Sequence, residues 1–248
     1  MNQNTRREFL KSTIVLSAAA SLPLVGNANT KTPTLNNSTD LKILFQGDSI
    51  TDGNRTRNND WNHVMGHGYQ YIISSKLWYE HPERKFHFFN RGISGNKVPD
   101  LAGRWQTDTL DIKPDVLSIL IGVNDSNEAI NNNPAYTKEN YNQGYRDLLH
   151  RAQAGNPNVK LVICEPFILP VGQVKNNWER WNEEVVSRQI IAKNIAVEFN
   201  AVFVPFQSAF NEALKRAPAD YWIWDGIHPM PAGHELMART WLKSVKSI

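Results

Sequence analysis

Five short apolar runs punctuate the chain: Leu41 to Phe45, Phe86 to Phe89, Val116 to Ile121, Lys160 to Cys164 and Val202 to Phe206. Runs of this length, bounded by glycine and polar residues, are expected to be strands, and the longer segments between them carry helical patterns. Tyr141, Tyr145, Leu148 and Ala152 keep helical spacing until Gly155 and Pro157 stop it. The stretches from Trp178 to Phe199 and from Pro231 to Ile248 read the same way, the last placing Met237, Trp241 and Val245 on one face. Alternation of strand and helix implies βαβ units, and right-handed crossovers put helices on both faces of a parallel sheet. The expected fold is therefore a three-layer α/β/α sandwich. With 41% apolar residues in 248, the chain can bury one substantial core, which we assign to residues 41–248. Ligands in such folds bind beyond the carboxyl ends of the strands, so polar residues directly after each apolar run are the first candidates for chemistry.

The N-terminus is of a different kind. Thr5-Arg6-Arg7-Glu8-Phe9-Leu10-Lys11 precedes an uncharged, largely apolar run from Ser12 to Val25, with small residues at Gly26 and Ala28. That run is short for a bilayer span, and paired arginines followed by Phe and Leu resemble a twin-arginine export signal. Residues 1–28 are read as the signal, residues 29–40 as a polar linker, and the mature protein as periplasmic or secreted, having met the twin-arginine export machinery on the way. The formal charge of +3 falls to about +1 without the signal, where Arg6, Arg7 and Lys11 outweigh Glu8. Such a balance gives no electrostatic case for nucleic acid as a partner. Cys164 is the single cysteine, so no intramolecular disulfide forms, and its place in an apolar strand marks it as core filler.

Four segments carry the candidate chemistry. The first apolar run is followed by Gly47-Asp48-Ser49-Ile50-Thr51, the second by Asn90-Arg91-Gly92-Ile93-Ser94-Gly95, the third by Gly122-Val123-Asn124-Asp125, and Asp225-Gly226-Ile227-His228-Pro229 precedes the final helix. Acyl transfer needs a hydroxyl nucleophile, an imidazole to take its proton, a carboxylate to fix the imidazole tautomer, and donors for the developing oxyanion. Ser49, His228 and Asp225 supply the first three, since one turn brings the Asp225 carboxylate to one ring nitrogen while the other faces Ser49. The backbone N–H groups of Ser49 and Gly95 and the side-chain amide of Asn124 are the natural oxyanion donors. Each segment alone is unremarkable: Gly, Asp and Ser are ordinary turn residues, Asp48 can simply cap the segment after it, and an Asp-x-x-His pair also occurs in solvated loops and metal fragments. Their joint order beside strand ends is what points to a site.

Taken together, GDSIT, the glycine of NRGISG, GVND and DGIHP resemble the four ordered sequence blocks of the SGNH, or GDSL, hydrolases. The resemblance runs from about Leu41 to the final helix. It implies a flavodoxin-like fold with a five-stranded parallel sheet, ester hydrolysis through an acyl-enzyme, and no metal or other cofactor. It also implies Ser49 as nucleophile, Gly95 and Asn124 completing the oxyanion hole, Asp225 as orienting carboxylate and His228 as base. Thr51 stands where the nucleophile elbow of α/β-hydrolases requires a second glycine, which disfavours that fold.

Five other histidines, His63 and His67 among them, carry no paired carboxylate at a useful spacing; those two belong to a loop from Asn54 to Gly68 that shapes the substrate site or is merely solvated. His234, on the last helix, is expected at the surface. Of eight tryptophans, Trp61, Trp178, Trp181, Trp222 and Trp224 fall near the expected strand ends, where aromatic faces can stack on sugars, although Trp178 and Trp181 also suit the buried face of a helix and Trp222 or Trp224 the underside of the Asp225 loop. No long apolar lid is evident, which favours a small acyl group. Together with export and the resemblance to bacterial carbohydrate esterases of this family, the expected reaction is removal of O-acetyl groups from a glycan. A lysophospholipase, arylesterase or thioesterase of the same fold is the enzymatic alternative, and a non-catalytic glycan-binding domain the other.

The export reading has a direct test. Exchanging Arg6 and Arg7 together for lysine should strand the precursor in the cytoplasm, because the paired guanidinium groups are what the translocation receptor reads. Normal processing of that double variant, followed by immunoblotting of cell fractions, would remove the twin-arginine assignment.

Overall fold

The computed structural model describes residues 40–245. The signal assigned to residues 1–28, the linker up to residue 39 and the last three residues lie outside them. The strands are β1 (Asp40–Gly47), β2 (Lys85–Asn90), β3 (Val116–Leu120), β4 (Lys160–Cys164) and β5 (Val202–Val204). They pair in parallel throughout, in the order β2-β1-β3-β4-β5. This is the doubly wound flavodoxin-like order, in which the chain steps outward to opposite sides of β1 and leaves a crevice at the carboxyl ends of β1, β2 and β3. The five expected strands are all present; the fifth is shorter than its apolar run, because Phe206 already opens a helix.

Between and after the strands run α1 (Ser49–Asp52), α2 (Tyr69–Glu80), α3 (Val98–Trp105), α4 (Val123–Ile130), α5 (Lys138–Gly155), α6 (Gly172–Lys175), α7 (Trp178–Glu198), α8 (Phe206–Ala213), α9 (Ala219–Trp222) and α10 (Pro231–Ser244). Residues on the strands alternate between two cores. Ile43, Phe45, Val116, Leu120, Val162 and Cys164 join one, with Tyr69 and Ile73 of α2, Phe206 and Phe210 of α8 and Met237 and Trp241 of α10. Leu44, Leu117, Ile119, Leu161 and Ile163 join the other, with Leu101 and Trp105 of α3, Tyr145 and Leu149 of α5 and Ile195 of α7. Both faces of the sheet are therefore covered, which is the expected three-layer sandwich and the reason its strands read as continuous apolar runs. Ser118 is the one hydroxyl in the centre of β3; it accepts a hydrogen bond from Trp241 Nε1 (3.0 Å), so the indole donor is not buried unpaired. Cys164 is fully buried beside it, and burial pushes its thiol up to about 12, as befits an inert packing residue.

His234 departs from expectation. It is half-buried, and its Nδ1 accepts the backbone N–H of Tyr69 (3.1 Å), satisfying one of the open donors at the start of α2. Burial first, then the neighbouring His67 and His228, hold its pKa down to about 4, so the ring is neutral and able to accept. The helical register put His234 on α10 correctly, but the helix that covers it comes from 165 positions earlier.

The closest backbone approach beneath the crevice is at Gly92, just after β2. A Cβ there would stand 2.3 Å from Asp52 N and 2.7 Å from Thr51 C, against main chain that has no free end to swing away. Gly92→Ala should therefore destabilise the fold by about 1–3 kcal/mol or more, read as a fall in thermal midpoint together with lost activity. A variant with wild-type stability would show that α1 and the β2 end are not packed this tightly.

Candidate active site

Ser49 opens α1 immediately after β1. The turn is held by Asp48, whose buried Oδ1 accepts the Ile50 N–H (3.0 Å), the capping role that its sequence position allows. On the far side of the crevice, the loop from Ile223 to Pro229 is closed by an antiparallel bridge between those two residues and by the Met230 N–H donating to Trp222 O (2.8 Å). Asp225 sits in that loop with its Oδ1 accepting the N–H groups of Ile227 (2.9 Å) and His228 (2.7 Å). Its backbone is pressed against α6: Gln173 N–H donates to Asp225 O (3.1 Å), and a Cβ on Gly172 would lie 2.4 Å from Asp225 Cα. The carboxylate is thus fixed from two sides before it meets the imidazole.

The three expected side chains form one line. His228 Nδ1 is 2.6 Å from Asp225 Oδ2, and His228 Nε2 is 2.7 Å from Ser49 Oγ. Burial alone would push the Asp225 carboxyl up, but the hydrogen bonds from the His228 ring and from the His228 and Ile227 backbone outweigh it and hold the group below the usual carboxylate range. For His228 the bond to Asp225 raises the pKa, burial opposes it, and the charges of Asp225 and Asp48 add to the rise. An imidazole so placed, with its Nδ1 proton on the carboxylate side, presents a basic Nε2 to the serine hydroxyl. Trp224, with 62% of its surface exposed, lies nearly parallel to the His228 ring with centroids 6.3 Å apart, whereas Trp222 is buried beneath the loop.

Asn124 reaches the loop that carries Gly95. Gly95 has φ 80°, and nothing lies within 4 Å of where a Cβ would stand, so its main chain is open to approach. Asn124, on the first turn of α4 after β3, donates one amide hydrogen to Asn96 O (3.2 Å) and retains a second. Several residues that the motifs did not single out hold the same loop. The Ser94 N–H donates to Asp52 Oδ2 (3.1 Å), Arg104 Nε donates to Asn96 Oδ1 (2.8 Å), and the Val98 N–H donates to Asp125 Oδ1 (3.1 Å). Arg104 also reaches Gln46, Arg91 O, Gly47 O and Asp108, tying the ends of β1 and β2 to α3. Beneath α4, fully buried Arg188 pairs with Glu184 (2.7 Å) and donates to the carbonyls of Asp125 and Tyr136. Burial raises Asp48 to about 7 and Asp125 to about 6, so two acids lie under the crevice with their ionisation near neutrality.

One expectation about histidines is corrected. His63 does have a carboxylate partner, Asp60 Oδ2 at 2.6 Å, at the same three-residue spacing as Asp225 and His228. The His63 side chain is 66% exposed and, among the described residues, no serine is bonded to it, so the pair is a surface turn. His67 lies close enough to His234 to depress it. Among the described residues, no group of three or more His, Cys, Asp and Glu is arranged to hold a metal ion.

The profile of the GDSL-like lipase/acylhydrolase family matches residues 45–236. An acetylxylan esterase of Geobacillus stearothermophilus is 35% identical over 208 residues, covering 82% of this chain and 93% of that protein. Among solved structures, a GDSL-like lipase of Parabacteroides merdae superposes with a TM-score of 0.82 at 41% identity, over 87% of this chain and all of that one. The crystal structure of the Geobacillus acetylxylan esterase gives 0.74 at 32% identity, over 84% of this chain and 95% of that one. Catalytic mutants of that esterase exchange an aspartate, or a histidine three positions after it, for alanine.

The electrostatics set a pH dependence. A base whose pKa is raised is protonated at higher pH, so kcat/KM should fall on the acid side through a midpoint above 6.5, the ordinary histidine value. A wild-type midpoint at or below 6.5 would contradict this arrangement.

Proposed function

This chain belongs to the GDSL-like lipase/acylhydrolase family and is a carboxylic ester hydrolase; within that class we propose that it is an exported enzyme that removes O-acetyl groups from a glycan, with Ser49, His228 and Asp225 as its catalytic residues. The observation that carries the reading is the unbroken hydrogen-bonded line from Ser49 Oγ through His228 to Asp225, with distances of 2.7 and 2.6 Å. The similarity to an acetylxylan esterase over most of both chains supports the acetyl-glycan substrate. The arginine pair at Arg6 and Arg7 and the apolar run after it support export to the periplasm or the medium.

In this mechanism His228 Nε2 takes the Ser49 proton as Oγ attacks the ester carbonyl. The electron pair of the C=O bond moves to oxygen, and the resulting oxyanion is met by the N–H groups of Ser49 and Gly95 and the second amide hydrogen of Asn124. Collapse of the tetrahedral species expels the sugar hydroxyl, which receives the proton from His228, and leaves an acetyl ester on Ser49. Water, deprotonated by the same ring, repeats the sequence and releases acetate. Asp225 stays ionised throughout and compensates the charge of the imidazolium. The loop that carries Gly95 is bonded on both flanks, so its donor does not have to be reorganised as charge develops.

Release of acetate from an acetylated oligosaccharide, compared with hydrolysis of a long-chain ester, tests the substrate. Ser49→Ala and His228→Ala should each lower kcat by several orders of magnitude, and the double variant should be scarcely worse. Asn124→Ala should lower kcat roughly 10²- to 10³-fold with little change in KM. If Asn124 only ties α4 to the Asn96 carbonyl, the same variant loses thermal stability but keeps a near-normal kcat, and the two measurements on one preparation separate these roles.

A further inference from the structure

Beside the Gly95 loop the structure forms a second cleft that the mechanism does not use. It has a volume of about 610 Å³ and lies between the loop after α1 and the end of β2, with Arg55, Arg57, Arg91, Trp61, Phe89 and Asp108 among its lining residues. That size suits a ligand subsite. Its charge balance is unusual for a surface cleft, with three guanidinium groups against one carboxylate.

The acids nearby are already engaged. Asp52 Oδ2 pairs with Arg57 at 2.8 Å and also accepts the Ser94 N–H. Asp108 Oδ2 takes Arg104 at 2.9 Å, and its other oxygen is 3.9 Å from Arg91. Arg55 uses Nε to bond Gly92 O (3.0 Å), and among the described residues its two terminal nitrogens have no acceptor. Burial first, and then the neighbouring Arg57 and Arg91, bring Arg55 down to about 10, against the opposing charges of Asp52 and Asp108. Trp61 stands at the rim with 65% of its surface exposed, its edge braced on Trp78. Its wall leads toward the reaction site along the chain: Ile93 lines the cleft, and Gly95 follows two residues later.

We propose that this cleft is a subsite for an anionic sugar unit next to the acetylated one, whose carboxylate or sulfate group is bound by Arg55 and Arg91 while Trp61 offers a stacking face. Planar guanidinium groups match such oxyanions in fork geometry, and an exposed indole suits the apolar face of a pyranose. The inference rests on the acetyl-glycan reading above and makes the preferred substrate an acidic polysaccharide, bearing either uronate or sulfate half-esters.

The test compares three acetylated oligosaccharides of equal length: one neutral, one carrying a uronate and one carrying a sulfate half-ester. The uronate or the sulfate substrate should show a KM roughly tenfold or more below that of the neutral one, an advantage that shrinks as salt is added and largely disappears in Arg91→Gln. Which charged substrate gains identifies the source of the anion. Arg55→Gln repeats the test from the other wall if Arg91→Gln folds poorly. Equal KM values for all three substrates at low salt would overturn the proposal. Calorimetric titration of Ser49→Ala protein with the deacetylated oligosaccharides gives a reading independent of turnover: tighter binding of a charged one, weakened by salt, supports the subsite, and equal affinities refute it. If no acetate is released from any substrate, the acetyl-esterase reading fails while the titration still decides the cleft.

Discussion

The bond between Ser49 Oγ and His228 Nε2 joins residues 179 positions apart, and most of the fold can be understood as what keeps those two ends within 2.7 Å. Ser49 is delivered by the end of β1, which has β2 on one side and β3 on the other and is therefore immobilised by two parallel ladders. His228 is delivered by the loop before α10, and α10 packs on α2 and α8 over one face of the same sheet. Neither partner belongs to a local hairpin that could form alone. The site exists only when the sandwich is complete, so its geometry is as rigid as the packing between α10 and the sheet.

The same dependence explains the supporting charges. Arg104 gathers Gln46, Gly47 O, Arg91 O, Asn96 and Asp108 around one guanidinium, linking β1, β2 and α3 exactly where the crevice opens. Arg188 does a similar task under α4 with its charge offset by Glu184. Buried arginines of this kind contribute little net stability against apolar replacements, but removing one partner leaves a costly unpaired charge. They tie together loops whose backbone carbonyls would otherwise be buried without donors.

Much of this was legible in the chain. Strands covered on both faces are apolar along most of their length, so β1 to β4 stood out as short apolar runs interrupted only by Lys42, His87 and Ser118, and the residues just beyond them were the ones brought to the crevice. Ser49, Asp225 and His228 were findable because a strand end and a three-residue spacing are local signals. Helix α2 was not, since its exposed face carries Tyr71 and Tyr79 beside Ser75, Lys76 and Glu80, and its buried side includes Gln70 and Ser74, so no clean polar stripe stands out. Arg104, Arg188 and Asp52 were missed because each has partners far along the chain that no local spacing signals, such as Gln46 and Gly47 O for Arg104, Asp125 O for Arg188 and the Ser94 N–H for Asp52. His234 was misplaced for the same reason, and the Asp60–His63 turn shows that the spacing of Asp225 and His228 has meaning only once a serine faces the ring.

Cys164 sits sealed between Ser118 and the core of the sheet, and no second thiol accompanies it in the sequence. The sandwich thus draws none of its stability from a crosslink that one side of a membrane permits and the other forbids. No disulfide has to form or break for the sandwich to fold, so its native state is the same on the reducing and the oxidising side of a membrane. That is the property that the proposed export of an already folded chain would require.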